Sequence, residues 1–269
     1  MNANRFTASD FGRTVREDYA RRGVMESSVI HASAGNSLAT RSLGHPYFED
    51  LAIGEQRSAQ IACLFLDLSK FTGRTFWDGA YETARLANAV STGFIAAVSW
   101  FGGFPLGLRG DGLFAGFGPG TTTVDVLAAL GASAIALQGV QNEVNPWLER
   151  EGMAPIQARA GADFGEVTFV RSGSEQSSEV NQIGFAANFA AKCEKEAASW
   201  EVVIGEAMAA HVRDHGLLTH HANSPKYYTR NNETKSYRFY DYAWRRGLSV
   251  VTSAGDQIAG TPTTNIRIG

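Results

Sequence analysis

The chain has 269 residues, 44% of them hydrophobic and 19% charged, a composition that supplies a core and excludes a disordered or fibrous chain. Its formal charge is −3 with no block of basic residues, which speaks against nucleic acid or an anionic membrane as partner. Two cysteines, Cys63 and Cys193, lack CxxC or metal-ligand spacing, and no apolar leader-like run opens the sequence, so the expected location is a reducing cytoplasm.

In chain order, residues 1–56 read as an N-terminal extension, with a charged helix over 13–22 and a Ser/Ala/Gly/Asn-rich loop over 33–42. His45-Pro46-Tyr47-Phe48 follows, and its aromatic rings are expected to cover the core. An apolar run from Ile61 to Leu66 predicts a buried strand with Asp67 at its C-terminal tip, then a turn over Ser69–Gly73 that offers backbone amides to phosphate. Leu86, Val90, Phe94, Ala97 and Phe101 recur every three or four residues, a helix that ends at Gly102-Gly103. The uncharged stretch Leu86–Leu108 is a poor membrane span, because Asn88, Ser91, Thr92, Ser99, several glycines and Pro105 interrupt it.

Asp111 lies between Gly110 and Gly112, with apolar residues at near-alternate positions on either side, which predicts a tight hairpin with Asp111 projecting from its turn. A second helical pattern runs from Val124 to Leu148 and is expected to stop near Pro146; strand-like sequence follows over Ile156–Val170, then a polar loop over 172–178. Asn188 and Lys192 fall four apart on one face of the next helix. Tyr227–Arg230 and Lys235–Tyr242 flank Asn231-Asn232-Glu233-Thr234 as a hairpin, and residues 247–269 form an aperiodic tail. His211 and His215 lack a third ligand for zinc, and neither a Gly-x-Ser-x-Gly elbow nor a P-loop is present. The order of elements predicts an α+β domain, an antiparallel-rich sheet with helices packed on one face. Two carboxylates at neighbouring turn ends are hard oxygen ligands for Mg²⁺ or Mn²⁺.

Asp67-Leu68-Ser69-Lys70-Phe71-Thr72, the Gly110-Asp111 hairpin 44 residues on, Arg159-Ala160-Gly161-Ala162-Asp163-Phe164-Gly165-Glu166, and the stretch from Gly184 to Glu194 stand in one order. Together they resemble the four motifs of class III nucleotidyl cyclase catalytic domains, over roughly residues 55–245. The resemblance implies a ferredoxin-like cyclase fold with its catalytic domain over 57–246. It implies two Mg²⁺ or Mn²⁺ ions per active site, held by Asp67, Asp111 and the Leu68 carbonyl, with Ser69, Phe71 and Thr72 around the triphosphate. Asn188 would orient the ribose, and Lys192 would stand where the family has an arginine that stabilises the pentavalent phosphate. Lys235 resembles in position the triphosphate lysine, a role that Arg230 or Lys226 could also fill. Family sites form between two subunits, so the resemblance implies a homodimer with composite sites.

Purine cyclases of the family carry Lys or Glu at the position of Gly107 and Asp or Cys at that of Asn181. With neither purine pair present, the chain resembles the bacterial pyrimidine cyclases of Pycsar anti-phage systems, whose cyclic UMP or cyclic CMP activates an effector protein. Asn181 can pair with either pyrimidine edge, and Tyr47 folding over the pocket would shrink it to one ring. The expected substrate is UTP, less strongly CTP. The alternatives are an adenylate or guanylate cyclase, and a degenerate cyclase domain that binds nucleotide as a sensor.

Overall fold

A computed structural model describes residues 6–29 and 43–248 together with Pro262. The polar patch over 33–42 and the C-terminal tail beyond residue 248, Pro262 apart, lie outside these residues. In chain order the elements are α1 (Ala8–Val29), a 3₁₀ turn (Pro46–Phe48), β1 (Gln56–Ser69), α2 (Phe71–Trp77), α3 (Ala80–Trp100), β2 (Phe104–Arg109) and β3 (Gly112–Phe117). Then come α4 (Thr122–Gly139), a π-helical turn (Val140–Val144), α5 (Asn145–Arg150), β4 (Gln157–Ser174), β5 (Ser177–Ile183) and α6 (Phe185–Glu196). The chain continues through β6 (Val202–Gly205), α7 (Glu206–Ala209), a 3₁₀ turn (His215–Leu217), β7 (Leu218–His220), β8 (Lys226–Arg230), β9 (Glu233–Tyr237) and β10 (Phe239–Tyr242).

Seven strands run in the order β2-β3-β1-β4-β6-β10-β7, with β5 paired to β4 as well, and β8–β9 form a separate hairpin. All neighbours are antiparallel except β4 and β6. The α+β class with an antiparallel-rich sheet is as expected. Strand β1 decides the layering, because its alternate residues serve two cores: Ala62, Leu64, Leu66 and Leu68 meet α1, α3 and α4, while Ile61 and Cys63 meet Phe48, Val167, Phe169 and the alanines of α6. Three helices thus share one face, and α6 lies on the other.

Several predicted boundaries move. Helix α1 is longer than 13–22 and belongs to the same core as the sheet, since Phe11 and Val15 are fully buried there, each contributing about 1.5–3 kcal/mol. Helix α4 is apolar and buried on nearly all sides, and the helical path does not stop at Pro146: a π turn leads into α5, where the proline stands in the first turn and its missing N–H is not needed. Among the described residues, Thr122–Arg150 is the one helix long and apolar enough to cross a membrane, and 83% of its apolar window is buried inside the domain. The stretch Leu86–Leu108 is divided between α3 and β2.

Part of the polar loop expected over 172–178 is strand, since β4 extends to Ser174 and β5 starts at Ser177. The expected second strand Lys235–Tyr242 divides after Tyr237. Strand β9 pairs with β8 across Asn231-Asn232, whose φ values of 51° and 62° suit a type I′ turn, while β10 returns to the main sheet beside β6 and β7. Phe48 covers the core, stacked 3.7 Å from Phe169, whereas Tyr47 is 52% exposed.

Candidate active site

Asp67 stands near the C-terminal end of β1, opposite Arg159 of β4 on one side and next to the Leu66–Leu113 pair of β3 on the other. Arg109 pairs with Gly112, so Gly110 and Asp111 form a two-residue loop beside that strand end. The Asp67 Oδ1 atom lies 3.0 Å from the point where a Cβ on residue 112 would sit, so a glycine there lets the carboxylate approach the hairpin. Burial, and then the charge of Asp67, raise the pKa of Asp111. Two crowded carboxylates with that electrostatic pressure are hard donors that suit a divalent cation. Of the expected turn over Ser69–Gly73 only Lys70, a left-handed residue at φ 61°, is turn: Ser69 ends β1, and from Phe71 the chain is helix α2. Phe71 is buried and Thr72 exposed, while the Ser69 hydroxyl is 2.9 Å from that of Ser199.

Two further charged residues complete this end of the sheet. Arg159 donates to Asp67 Oδ2 from Nε at 3.1 Å and Nη2 at 2.9 Å, and Glu194 Oε1 is 2.5 Å from the same Nη2. Burial, and then the neighbouring Asp67, push the Glu194 carboxyl up to about 7. Glu194 reaches Arg159 because α6 crosses β4 in backbone contact: a Cβ on Gly161 would lie 1.9 Å from the Glu194 amide nitrogen. Both residues stand in the sequence motifs; Arg159 is marked as a lone charge in an otherwise apolar stretch, whereas Glu194 stands among Lys192, Lys195 and Glu196 and no local pattern singles it out.

The other predicted site residues fall elsewhere in the same chain. Asn188 and Lys192 are exposed on the outer side of α6, and Lys192 is roughly 200° round the helix from Glu194. Lys192 Nζ donates to the Tyr228 hydroxyl at 3.1 Å, and Tyr228 is paired across the β8–β9 hairpin with Lys235, whose ammonium is 3.3 Å from Glu233. Asn181 pairs with Val170, and Tyr47 is joined through its carbonyl to Arg57, which pairs with Phe169. From Arg159 to Val170 is about 36 Å of strand at roughly 3.3 Å per residue, so Asn181 and Tyr47 sit at the opposite end of β4 from Asp67. Gly107 pairs with Phe114, and the Arg109 guanidinium lies 3.8 Å from where its Cβ would be. One chain therefore presents Asp67 and Asp111 in one place and Asn181, Asn188 and Lys192 in others.

A separate acidic group forms further across the sheet, where the ligand atoms of Glu201, His221 and Asp241 lie within 4.8 Å of one another. His221 Nδ1 accepts the Asn223 amide at 3.1 Å, which in the neutral ring puts the proton on Nε2, facing Asp241 at 3.8 Å. A protonated Nε2 is not a metal ligand. His211 packs edge-on against Phe164, and among the described residues no metal-ligating group includes it or His215.

No protein-family model matches the chain. No curated protein matches it. Solved structures do: the guanylyl cyclase Cya2 superposes with a TM-score of 0.59 at 21% identity, over 71% of this chain and 94% of that one. The adenylyl cyclase CyaB from P. aeruginosa gives 0.60 at 18% identity, over 70% of this chain and 95% of that one. The guanylate cyclase domain of RhGC from Catenaria anguillulae, solved in complex with GTP, gives 0.55 at 14% identity over 70% and 98%. The chain has the fold of class III nucleotidyl cyclase catalytic domains.

Proposed function

We propose that this chain is a nucleotidyl cyclase that converts a pyrimidine nucleoside triphosphate, UTP ahead of CTP, into its 3′,5′-cyclic monophosphate and pyrophosphate. The observation that carries the reading is the convergence of Asp67 and Asp111 at the end of β1 and the tip of the β2–β3 hairpin, on a cyclase fold. Asp67, Asp111 and the Leu68 carbonyl would hold two Mg²⁺ or Mn²⁺ ions, which supply activation of the attacking 3′-hydroxyl and charge neutralisation on the triphosphate. Thr72, exposed in the first turn of α2, would border the triphosphate.

The remaining groups come from a second copy. Glu194 faces the sheet while Asn188 and Lys192 face away, so Asn188 and Lys192 of one protomer would meet Asp67 and Asp111 of its partner, and two-fold symmetry gives two such sites. In each, Asn188 orients the ribose and Lys192 offsets negative charge as the pentavalent phosphorus forms, with Lys235 toward the leaving pyrophosphate. Gly107 offers no side chain to a purine edge, and Asn181 offers one donor and one acceptor, which supports a pyrimidine. The cyclic product would then be a signal read by an effector protein, in the anti-phage setting that the Pycsar resemblance implies.

Pyrophosphate release with Mn²⁺ tests the reading: Asp67→Ala or Asp111→Ala should abolish it while circular dichroism and dimer mass stay unchanged. Near-normal turnover in either variant removes the site assignment.

A further inference from the structure

Lysine is a weaker tool than arginine at the position given to Lys192. A guanidinium is a rigid planar fork, whereas an ammonium on a flexible four-carbon stem must be held in place by something else. The structure contains such a holder. Lys192 Nζ donates to the Tyr228 hydroxyl at 3.1 Å and lies out beyond that oxygen, 4.9 Å from the ring centre, so the phenol oxygen fixes the ammonium by a hydrogen bond. Among the described residues no carboxylate forms an ion pair with Lys192, which leaves its charge and two of its three N–H donors for an anion.

Tyr228 is itself held from three sides. Its ring meets Phe185 of α6 edge-on at 5.7 Å. Its strand pairs with β9, where Tyr237 donates to the fully buried Asp163 of β4 at 3.0 Å to Oδ2 and 3.2 Å to Oδ1. The start of β8 is pinned by Lys226, 2.6 Å from Glu196 of α6. The hairpin is therefore tied to both the sheet and the helix that carries Lys192.

We infer that Tyr228 is a positioning residue that holds the Lys192 ammonium in the orientation its reaction needs, replacing by a side-chain contact the rigidity an arginine would have had. The inference rests on the cyclase reading for its consequence, but the contact stands without it. In full-length protein carrying [¹³Cε]lysine, relaxation of the Lys192 ε-methylene should show a restricted side chain, and Tyr228→Phe should give it the mobility of a free surface lysine. A wild-type Lys192 ε-methylene as mobile as a free surface lysine overturns the inference whatever the enzyme does.

Kinetics then test the role. Tyr228→Phe keeps the ring and loses the hydroxyl, and should lower kcat about tenfold with KM changed less than twofold. In a Lys192→Arg background the same substitution should cost less than about threefold, because the guanidinium orients itself. Equal losses in the two backgrounds, or no loss in the first, overturn the positioning role. A wild-type chain with no cyclic product from any triphosphate, beside a restricted Lys192 side chain, instead overturns the cyclase reading and the role with it.

Discussion

Both hydrogen bonds from Arg159 to Asp67 fall on a single oxygen, Oδ2, while Oδ1 of the same carboxylate lies against Gly112 in the hairpin that carries Asp111. The arginine thus fixes the rotamer of Asp67 and leaves one oxygen turned toward its acidic neighbour. Glu194 shares the guanidinium, so a single positive charge serves two carboxylates at this end of the sheet.

Removing Arg159 should therefore do two kinds of damage. In Arg159→Ala, Asp67 and Glu194 face each other without a cation in a largely buried place, and the fold should lose about 2–4 kcal/mol. Thermal unfolding reads this directly. Because Asp67 also loses its orientation, the Mn²⁺ concentration needed for half-maximal turnover should rise, and Mn²⁺ should recover part of the lost Tm.

Gly161 is the residue on which the α6 crossing depends. A Cβ there would collide with the backbone of Glu194 and Ala190, which cannot move aside as a flexible side-chain tip would. Gly161→Ala should destabilise by about 3 kcal/mol or more, or yield insoluble protein, with denaturant midpoints as the measure. A shift of less than about 0.5 kcal/mol would mean that the helix is less closely seated on β4.

Asp163 gives a stability profile with a definite sign. Burial pushes its carboxyl up to about 7 in the folded chain from an ordinary value of 3.8, so between these values the folded state binds the proton more tightly than the unfolded one. Its contribution is fully present below about pH 4 and is lost as pH rises toward about 7. Asp163→Asn keeps an acceptor for Tyr237 and removes the titration, so the variant should gain about 1–3 kcal/mol on the wild type at pH 8 and lose that advantage near pH 4. A constant difference across the range would place the titration elsewhere.

The sequence made the core of this arrangement legible because the relevant signals are local. An apolar run that ends in Asp67 and a glycine-bracketed Asp111 are short-range patterns, and both residues lie where period and turn chemistry put them. Strand β5 was not legible, since Ser177, Ser178 and Glu179 are exposed and only its pairing with the long β4 makes it a strand. Nor was the division of Lys235–Tyr242: no proline or glycine marks it, and it exists because Phe239 is buried in a different sheet from Tyr237. Tyr228 and Arg159 are not legible as site residues because each is joined to a partner tens of residues away, Lys192 in one case and Asp67 in the other.

The separation of Asp67 from Asn188 and Lys192 within one chain gives a complementation prediction. Asp67→Ala and Asn188→Ala homodimers should each be inactive, and mixing them with subunit exchange should restore about a quarter of wild-type activity, since half the dimers are mixed and each mixed dimer has one intact site. Exchange is monitored by native mass spectrometry. No recovery in verified mixed dimers would argue for a site built within one chain.

The most direct measurement incubates the wild-type chain with Mn²⁺ and an equimolar mixture of ATP, GTP, CTP and UTP, and identifies the products by mass spectrometry. A cyclic pyrimidine monophosphate, with cyclic UMP ahead of cyclic CMP, is the result predicted by Asp67 and Asp111 at one end of the sheet and by Gly107 and Asn181 at the base-reading positions. Cyclic AMP or cyclic GMP as the main product would contradict the pyrimidine assignment, and four intact triphosphates would contradict the cyclase itself.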